Sequence, residues 1–164
     1  MNIVDAITAL EKLVSNPSNG LPYELFLYVS TLTPLVNVDL LVKDEIGRTL
    51  LSWRDDQYSG RGWHLPGGIV RVREPLEVRV RKVAETEIGS TIRFNSTPIA
   101  INQIIHDKMA IRGHFISILY QCSLSSSFVP SNKGVVFNDP GYLMWHERCP
   151  DDLLKYHEIY RKFL

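Results

Sequence analysis

Glu74 and Glu87 flank a charged segment that begins just after a Pro66-Gly67-Gly68 turn, and the segment closes on Gly89. Carboxylate oxygens are hard donors of the kind Mg²⁺ prefers. A Gly-Gly turn has no Cβ atoms to obstruct approach, so its carbonyls can come close to a ligand or metal. The run from Pro66 to Gly89 therefore reads as a glycine turn joined to a helix that presents carboxylates to a divalent cation.

The elements that must position these groups follow from periodicity. Pro75 to Ile88 reads as the charged helix, with Gly89 as its stop. Val36, Val38, Leu40 and Val42 alternate with Asn37, Asp39 and Lys43, turn at Asp44-Glu45-Ile46-Gly47-Arg48 and return through Thr49 to Arg54, which predicts a β-hairpin. A loop is expected from Asp55 to Arg61, followed by Trp63-His64-Leu65 leading into the turn. Further strands are expected at Ile92 to Phe94, Ala100 to Ile105 and His114 to Ser123, and a closing helix from about Pro150 to Phe163. Upstream, Ile3, Ile7, Leu10 and Val14 fall at helical spacing, and Pro22 opens a second short helix that Thr33-Pro34 ends. Their apolar stripe needs a surface on this chain or on a second copy. Strands on both sides of one central helix predict an α+β protein, a mixed α/β/α sandwich formed as a single domain over 1–164, with a helical extension at 1–32 and the core at 33–164.

Composition narrows the function classes. The chain has 164 residues, 45% of them hydrophobic, enough to bury a core, and disorder is excluded. Eighteen basic residues balance eighteen acidic ones, so no overall field draws nucleic acid or an anionic membrane, and an anionic ligand must be held by local Arg or Lys. Two cysteines with neither metal-ligand nor disulfide spacing fit a reducing cytoplasm. No positive leader and no membrane-length apolar run are visible, so the expectation is a cytoplasmic protein with no membrane partner.

Gly68, Glu74, Lys82, Glu87 and Gly89 have the spacing of the Nudix box, and on these residues the chain resembles the Nudix hydrolase superfamily. The usual box carries an Arg-Glu pair and two further glutamates in its helix. Here Lys82 takes the Arg position, while Val83 and Thr86 replace two carboxylates and Glu87 keeps the third. The GDP-mannose mannosyl hydrolase branch lacks the same two carboxylates. This chain is similar to that branch also at Thr33 to Val36, Asp39, Gly47, Leu50-Leu51, Arg54, Trp63, His114-Phe115 and Tyr142 to Trp145. The resemblance implies a Nudix fold and hydrolysis of a nucleoside-diphosphate sugar, or of another nucleoside diphosphate derivative, with one Mg²⁺ or Mn²⁺.

Carried over by position, it implies metal ligands at the Gly67 carbonyl and Glu87, with Asn138 or Asp139 from a later loop, and Arg54 at the leaving diphosphate. Glu74 is either a further ligand or a cap of the helix N-terminus. Lys82 either contacts phosphate or buttresses the turn, and Arg71 stands near the site where the branch has an arginine at the position of Ile69. The branch's loop histidine is missing, which leaves Asp139 as base or ligand, and Phe115 replaces a tyrosine. These departures also allow a binding module with little catalysis. Arg71, Arg73, Arg79 and Arg81 either bind phosphate, Arg71 as a substrate-binding candidate, or, interspersed with Glu77 and Glu85, form a solvated helical face. Trp63, Phe94, His64 and His114 read as packing residues, and His106 is either a functional histidine or a solvated loop residue. Assembly as a homodimer through the N-terminal helices is expected.

Overall fold

The computed structural model describes residues 2–164. Helix α1 (Ile3–Leu13) is closed at its start by a reciprocal pair, the Asn2 side chain accepting from the Asp5 amide and the Asp5 carboxylate accepting from the Asn2 amide. Helix α2 is Tyr23–Val29. Strands β1 (Leu35–Lys43) and β2 (Thr49–Asp56) form the expected hairpin. Its turn is organised by buried Asp44, which accepts from the Ile46 and Arg48 amides and pairs with the Arg48 guanidinium at 2.7 Å. Then come β3 (Gly60–His64), β4 (Gly67–Ile69), helix α3 (Leu76–Val83), β5 (Arg93–Phe94), β6 (Ala100–Ile105), β7 (His114–Ser123) and β8 (Leu143–His146).

Among the described residues these eight strands form one mixed sheet. Its centre is a parallel pairing of β1 with β7, Leu35 opposite Phe115 through Lys43 opposite Ser123, and the other pairs among these strands are antiparallel. Alternation then decides what each face buries. Val38, Leu40, Val42, Leu50, Ile118 and Tyr120 pack against Val80, Val83, Ala84 and Ile88 of the charged helix. Leu41, Leu51, Trp53, Trp63 and Leu119 pack on the other side against Leu153 and Tyr160. The α/β/α sandwich is thus built by strands buried on both faces.

Four features differ from the sequence reading. The charged helix spans the expected residues but changes to a π-turn over Ala84–Ile88 before Gly89 stops it at φ 74°. The closing helix begins at Lys155, five residues late, as a 3₁₀ helix to Phe163. Residues 152–154 are used instead to extend the sheet edge, with the Trp63 amide donating to the Asp152 carbonyl at 2.9 Å and the Leu154 amide to the Trp63 carbonyl at 2.8 Å. Strand β8 was not expected, and it forms because Thr49 to Ser52 offers it a free edge. The expected loop at Asp55 to Arg61 shrinks to a short turn, since β2 continues to Asp56 and β3 starts at Gly60.

The N-terminal helices behave differently from each other. No residue of α1 is buried, and Ile3, Ile7 and Leu10 remain exposed, so its stripe does not dock on this chain's sheet. Segment 16–30 is attached: Ser18 Oγ donates to the Val72 carbonyl at 3.3 Å, and buried Ser30 accepts from the Arg112 amide at 3.0 Å. Cys122 and Cys149 are unpaired, and burial pushes the Cys122 thiol up to about 12, which keeps it a core residue with no thiolate at neutral pH. No described helix is long and apolar enough to cross a membrane.

Candidate functional site

The glycine turn is a close-approach device. Strand β4 pairs antiparallel with β1, Gly67 opposite Asp39 and Gly68 opposite Val38. A Cβ on Gly67 would overlap the Asp39 carboxylate and lie 2.8 Å from the Val38 carbonyl, and one on Gly68 would lie 2.8 Å from Val83 Cγ2 of α3. Only a strand without side chains can pass between β1 and the helix here. The Gly67 amide then donates to Glu87 Oε2 at 3.2 Å, across twenty residues of sequence. Glu87 sits inside the π-turn, whose wider backbone re-aims the side chain toward the strand.

Glu87 is partly buried, and burial pushes its carboxyl up to about 7. The Gly67 amide and the Arg54 charge oppose that rise, while the Asp39 charge adds to it. Its carboxylate lines a cleft together with Ser52, Arg54, Asp55, His64 and the Pro140-Gly141 backbone. Arg54 and His64 also form a wall of a second cavity, which reaches Asn37, Asp39, Tyr58, His106, Arg112, Phe115, Tyr156 and His157. The two openings therefore meet at one guanidinium and one imidazole.

Glu74 does a different job. Its Oε2 accepts from the Arg71 amide at 3.0 Å and from Arg79 Nε at 2.7 Å, and its Oε1 accepts from Lys82 Nζ at 3.0 Å. Burial opposes its ionisation, but the Arg71 amide, Lys82 and Arg79 outweigh that and hold the carboxyl at about 2. With both oxygens committed, Glu74 and Lys82 tie the loop after β4 to the first turns of α3. Arg79 is correspondingly buried, and the solvated face expected of it is corrected by this ion pair.

The structure brings Gly67, Glu87 and Arg54 together and leaves the other candidates apart. The Arg71 guanidinium lies beside Gly20, and neither Arg71 nor Lys82 lines the cleft. Asp139 Oδ2 accepts from the Val136 amide at 2.9 Å, and it is the backbone after it, at Pro140 and Gly141, that forms the cleft wall. Asn138 has φ 72° and a sealed Oδ1 with no partner, next to the cleft but outside its lining. Among the described residues no three His, Cys, Asp or Glu side chains converge on one point. This donor set suits Mg²⁺, which is commonly held by one or two carboxylates with waters and substrate phosphates completing its shell.

Sequence reasoning passed over the polar floor of the second cavity. Asp39 is buried, and its Oδ2 accepts from Tyr160 at 2.6 Å and from Ser117, while Oδ1 accepts from Asn37 at 3.0 Å. A lone acid on the inward face of a strand, two residues before Leu41, was the available signal. His64 Nδ1 donates to the Leu65 carbonyl at 2.7 Å, which leaves Nε2 as the unprotonated nitrogen, and burial holds the ring well below its ordinary range. His157 Nδ1 accepts from the Leu65 amide at 3.2 Å, and burial lowers this ring to about 4 despite the Asp39 charge.

Buried neutral His157 has a measurable consequence. Its folded value lies below that of the unfolded chain, so the unfolded state binds more protons as pH falls, and stability is lost between about pH 6.5 and 4. The expected loss from this residue by pH 4 is about 3 kcal/mol. Urea midpoints across that range should fall steeply for the native protein and less for His157→Gln, with a residual slope from His64.

A mixed sheet between a glycine-turn helix and a C-terminal helix is the Nudix fold. No family model matches the chain. The MutT NUDIX hydrolase of Burkholderia pseudomallei superposes with TM-score 0.62 at 23% identity, over 80% of this chain and 98% of that one. A structure of UDP-X diphosphatase superposes with TM-score 0.54 at 15% identity, over 99% of this chain and 67% of that one, so its match takes in the N-terminal helices as well. By sequence, the Low-salt glycan biosynthesis protein Agl8 of Haloferax volcanii is 26% identical over 112 residues, 66% of this chain and 70% of that protein.

Proposed function

We propose that this chain is a Mg²⁺-dependent Nudix hydrolase that cleaves a nucleoside-diphosphate sugar resembling GDP-mannose into the nucleoside diphosphate and the free sugar. The observation that carries the reading is the Glu87 carboxylate, bonded to the Gly67 amide and facing a cleft whose Arg54 wall is shared with a polar, aromatic cavity. The diphosphate occupies the cleft and the sugar the cavity. Glu87 and the Gly67 carbonyl would hold the metal, with Asn138 available from the neighbouring loop, and Mn²⁺ would be accepted in place of Mg²⁺. Bound there, the ion supplies Lewis-acid neutralisation of the diphosphate. Arg54 stabilises the charge that develops on the leaving phosphate oxygen. Glu74, through Arg79 and Lys82, keeps the turn rigid and does not act as a ligand.

Asp139, the sequence candidate for the base, is held on the Val136 amide, so this reading leaves the base unassigned. Asp139→Asn is expected to lower kcat by less than about threefold, because Asn can still accept that amide. A hundredfold loss would place Asp139 on the reacting water.

The name UDP-X diphosphatase, borne by a neighbour that covers almost the whole chain, favours a second reading, attack at phosphorus. The two separate in H₂¹⁸O with Mg²⁺: label in the sugar supports carbon attack, and label in phosphate supports a pyrophosphatase. Stabilisation by a nucleotide sugar with no turnover would instead define a binding module. The reading includes a homodimer formed through exposed Ile3, Ile7 and Leu10 of α1. Light scattering should return twice the chain mass, and a monomer would remove the dimer.

A further inference from the structure

Three buried polar atoms without a hydrogen-bond partner belong to residues that line the second cavity: Asn37 Oδ1, Arg112 Nε and Tyr156 OH. Buried polar groups are nearly always satisfied in folded proteins, and several orphans around one cavity point to a missing ligand. The Asn37 amide is oriented by chemistry, since its Nδ2 must donate to Asp39 Oδ1 at 3.0 Å, so the orphan Oδ1 asks for a donor such as a sugar hydroxyl. The Tyr156 hydroxyl is turned toward Ser59 and Arg54, and its ring packs edge-on against His106 at 4.8 Å.

Arg112 carries the sharper information. Its guanidinium sits over Tyr58 at 5.4 Å and over Phe26 of α2 at 5.9 Å, which fixes the plane of the fork. The backbone there is left-handed, φ 53°, and is held by the Arg112 amide donating to Ser30 Oγ at 3.0 Å. A non-glycine residue kept in that conformation by a second element is typical of a ligand clamp. Among the described residues no carboxylate lies within ion-pair distance of Arg112, and of the arginines without one, which include Arg71, Arg73, Arg93 and Arg148, it is Arg112 that lines this cavity, where the other lining arginine, Arg54, already pairs with Asp56. Asp39, the acid of the cavity, is already taken up by Tyr160, Ser117 and Asn37.

We infer that this cavity is a specificity pocket for a sugar ring bearing a carboxylate, with the Arg112 fork binding the carboxylate and Asn37 a ring hydroxyl. A planar guanidinium with free donors matches a carboxylate in two-point contact. The inference rests on the reading that the neighbouring cleft takes the diphosphate, and it gives segment 16–30 a role, since Phe26 and Ser30 set the clamp.

The test is binding calorimetry on the full chain in EDTA, which needs no turnover. The ligands are matched pairs differing only in the sugar acid: UDP-glucuronate against UDP-glucose, and GDP-mannuronate against GDP-mannose. The expected result is at least about tenfold tighter binding of the uronate in one pair or both, reduced to under about twofold in Arg112→Gln and only partly restored in Arg112→Lys. Equal affinities within each pair, a preference that follows the base instead of the sugar, or an Arg112→Gln loss shared equally by acid and neutral sugars would each overturn it. A native-like melting temperature in Arg112→Gln validates the comparison, and Asn37→Leu, expected to weaken all four ligands alike, serves if that variant does not fold. Failure to hydrolyse any of the four with Mg²⁺ would sink the proposed reaction and leave this binding preference standing.

Discussion

Glu87→Gln is expected to lower metal-dependent kcat by about 10²- to 10³-fold while leaving the fold intact. Glutamine keeps the size of the side chain and can still accept from the Gly67 amide, now 3.2 Å from Oε2, so the turn and helix stay joined. What it removes is the one helix carboxylate that faces the cleft, and under the proposed reading a hard dication bound by so few protein groups has no substitute for it. Because burial makes that charge costly in the absence of metal, as the rise to about 7 indicates, the melting temperature of the metal-free variant should match or slightly exceed that of the parent. Steady-state rates over a Mg²⁺ titration, with melting curves in EDTA, give both readouts. Full activity at any metal concentration would mean that the site does not rest on a single Glu87-bound ion.

Glu74→Gln should do the reverse, costing stability first. The Glu74 carboxylate is buried, 2.7 Å from Arg79 Nη2 and 3.0 Å from Lys82 Nζ, and removing its charge leaves the buried Arg79 guanidinium without a counter-ion. Breaking one side of such a pair typically costs about 3 kcal/mol. For a chain of this size that corresponds to roughly a 10 °C fall in melting temperature. The pH dependence has a defined sign. The folded carboxyl is held at about 2, below its ordinary 4.5, so the contribution is complete above pH 4.5 and is lost as pH falls toward 2. This window lies below the His157 window, and a urea series from pH 7 to 2 separates them: the variant should start lower and lack the steeper fall under pH 4.5. A variant as stable as the parent at pH 7 would show that Glu74 does not brace the turn.

Opposite outcomes for two glutamates of one motif illustrate what spacing conveys. Both could be read from the sequence as oxygen donors, and the choice for Glu74 between ligand and cap stayed open, because nothing local states which cations fold back onto it. Arg79 and Lys82 lie five and eight residues ahead on the same helix, and the loop that bends Glu74 toward them passes through Arg73 at φ 58°. Asp139 is the converse case. A polar loop residue in a suitable sequence position turned to the Val136 amide, and loop conformation of that kind is set by three or four backbone bonds that composition does not encode.

The sequence by itself determined the two-faced sheet, the hairpin at Asp44, the glycine turn and the charged helix with its stop, because alternation, glycine and helix caps are local and act within a few residues, while the grouping of Gly67 with Glu87 and Arg54 as candidates came from the resemblance to the Nudix box. Only the tertiary structure decided that Asp39, His64, Arg112 and Tyr156 surround one cavity. Asp39 meets Ser117 across the parallel register of β1 with β7, and Tyr160 from the C-terminal helix, over separations of 78 and 121 residues. A parallel pair has no connecting turn to declare its register, and it is set by which side chains fill the two faces. Arg112 likewise receives its rings from α2 and from the β2–β3 turn, so its role exists only once the N-terminal segment has packed against the sheet's edge.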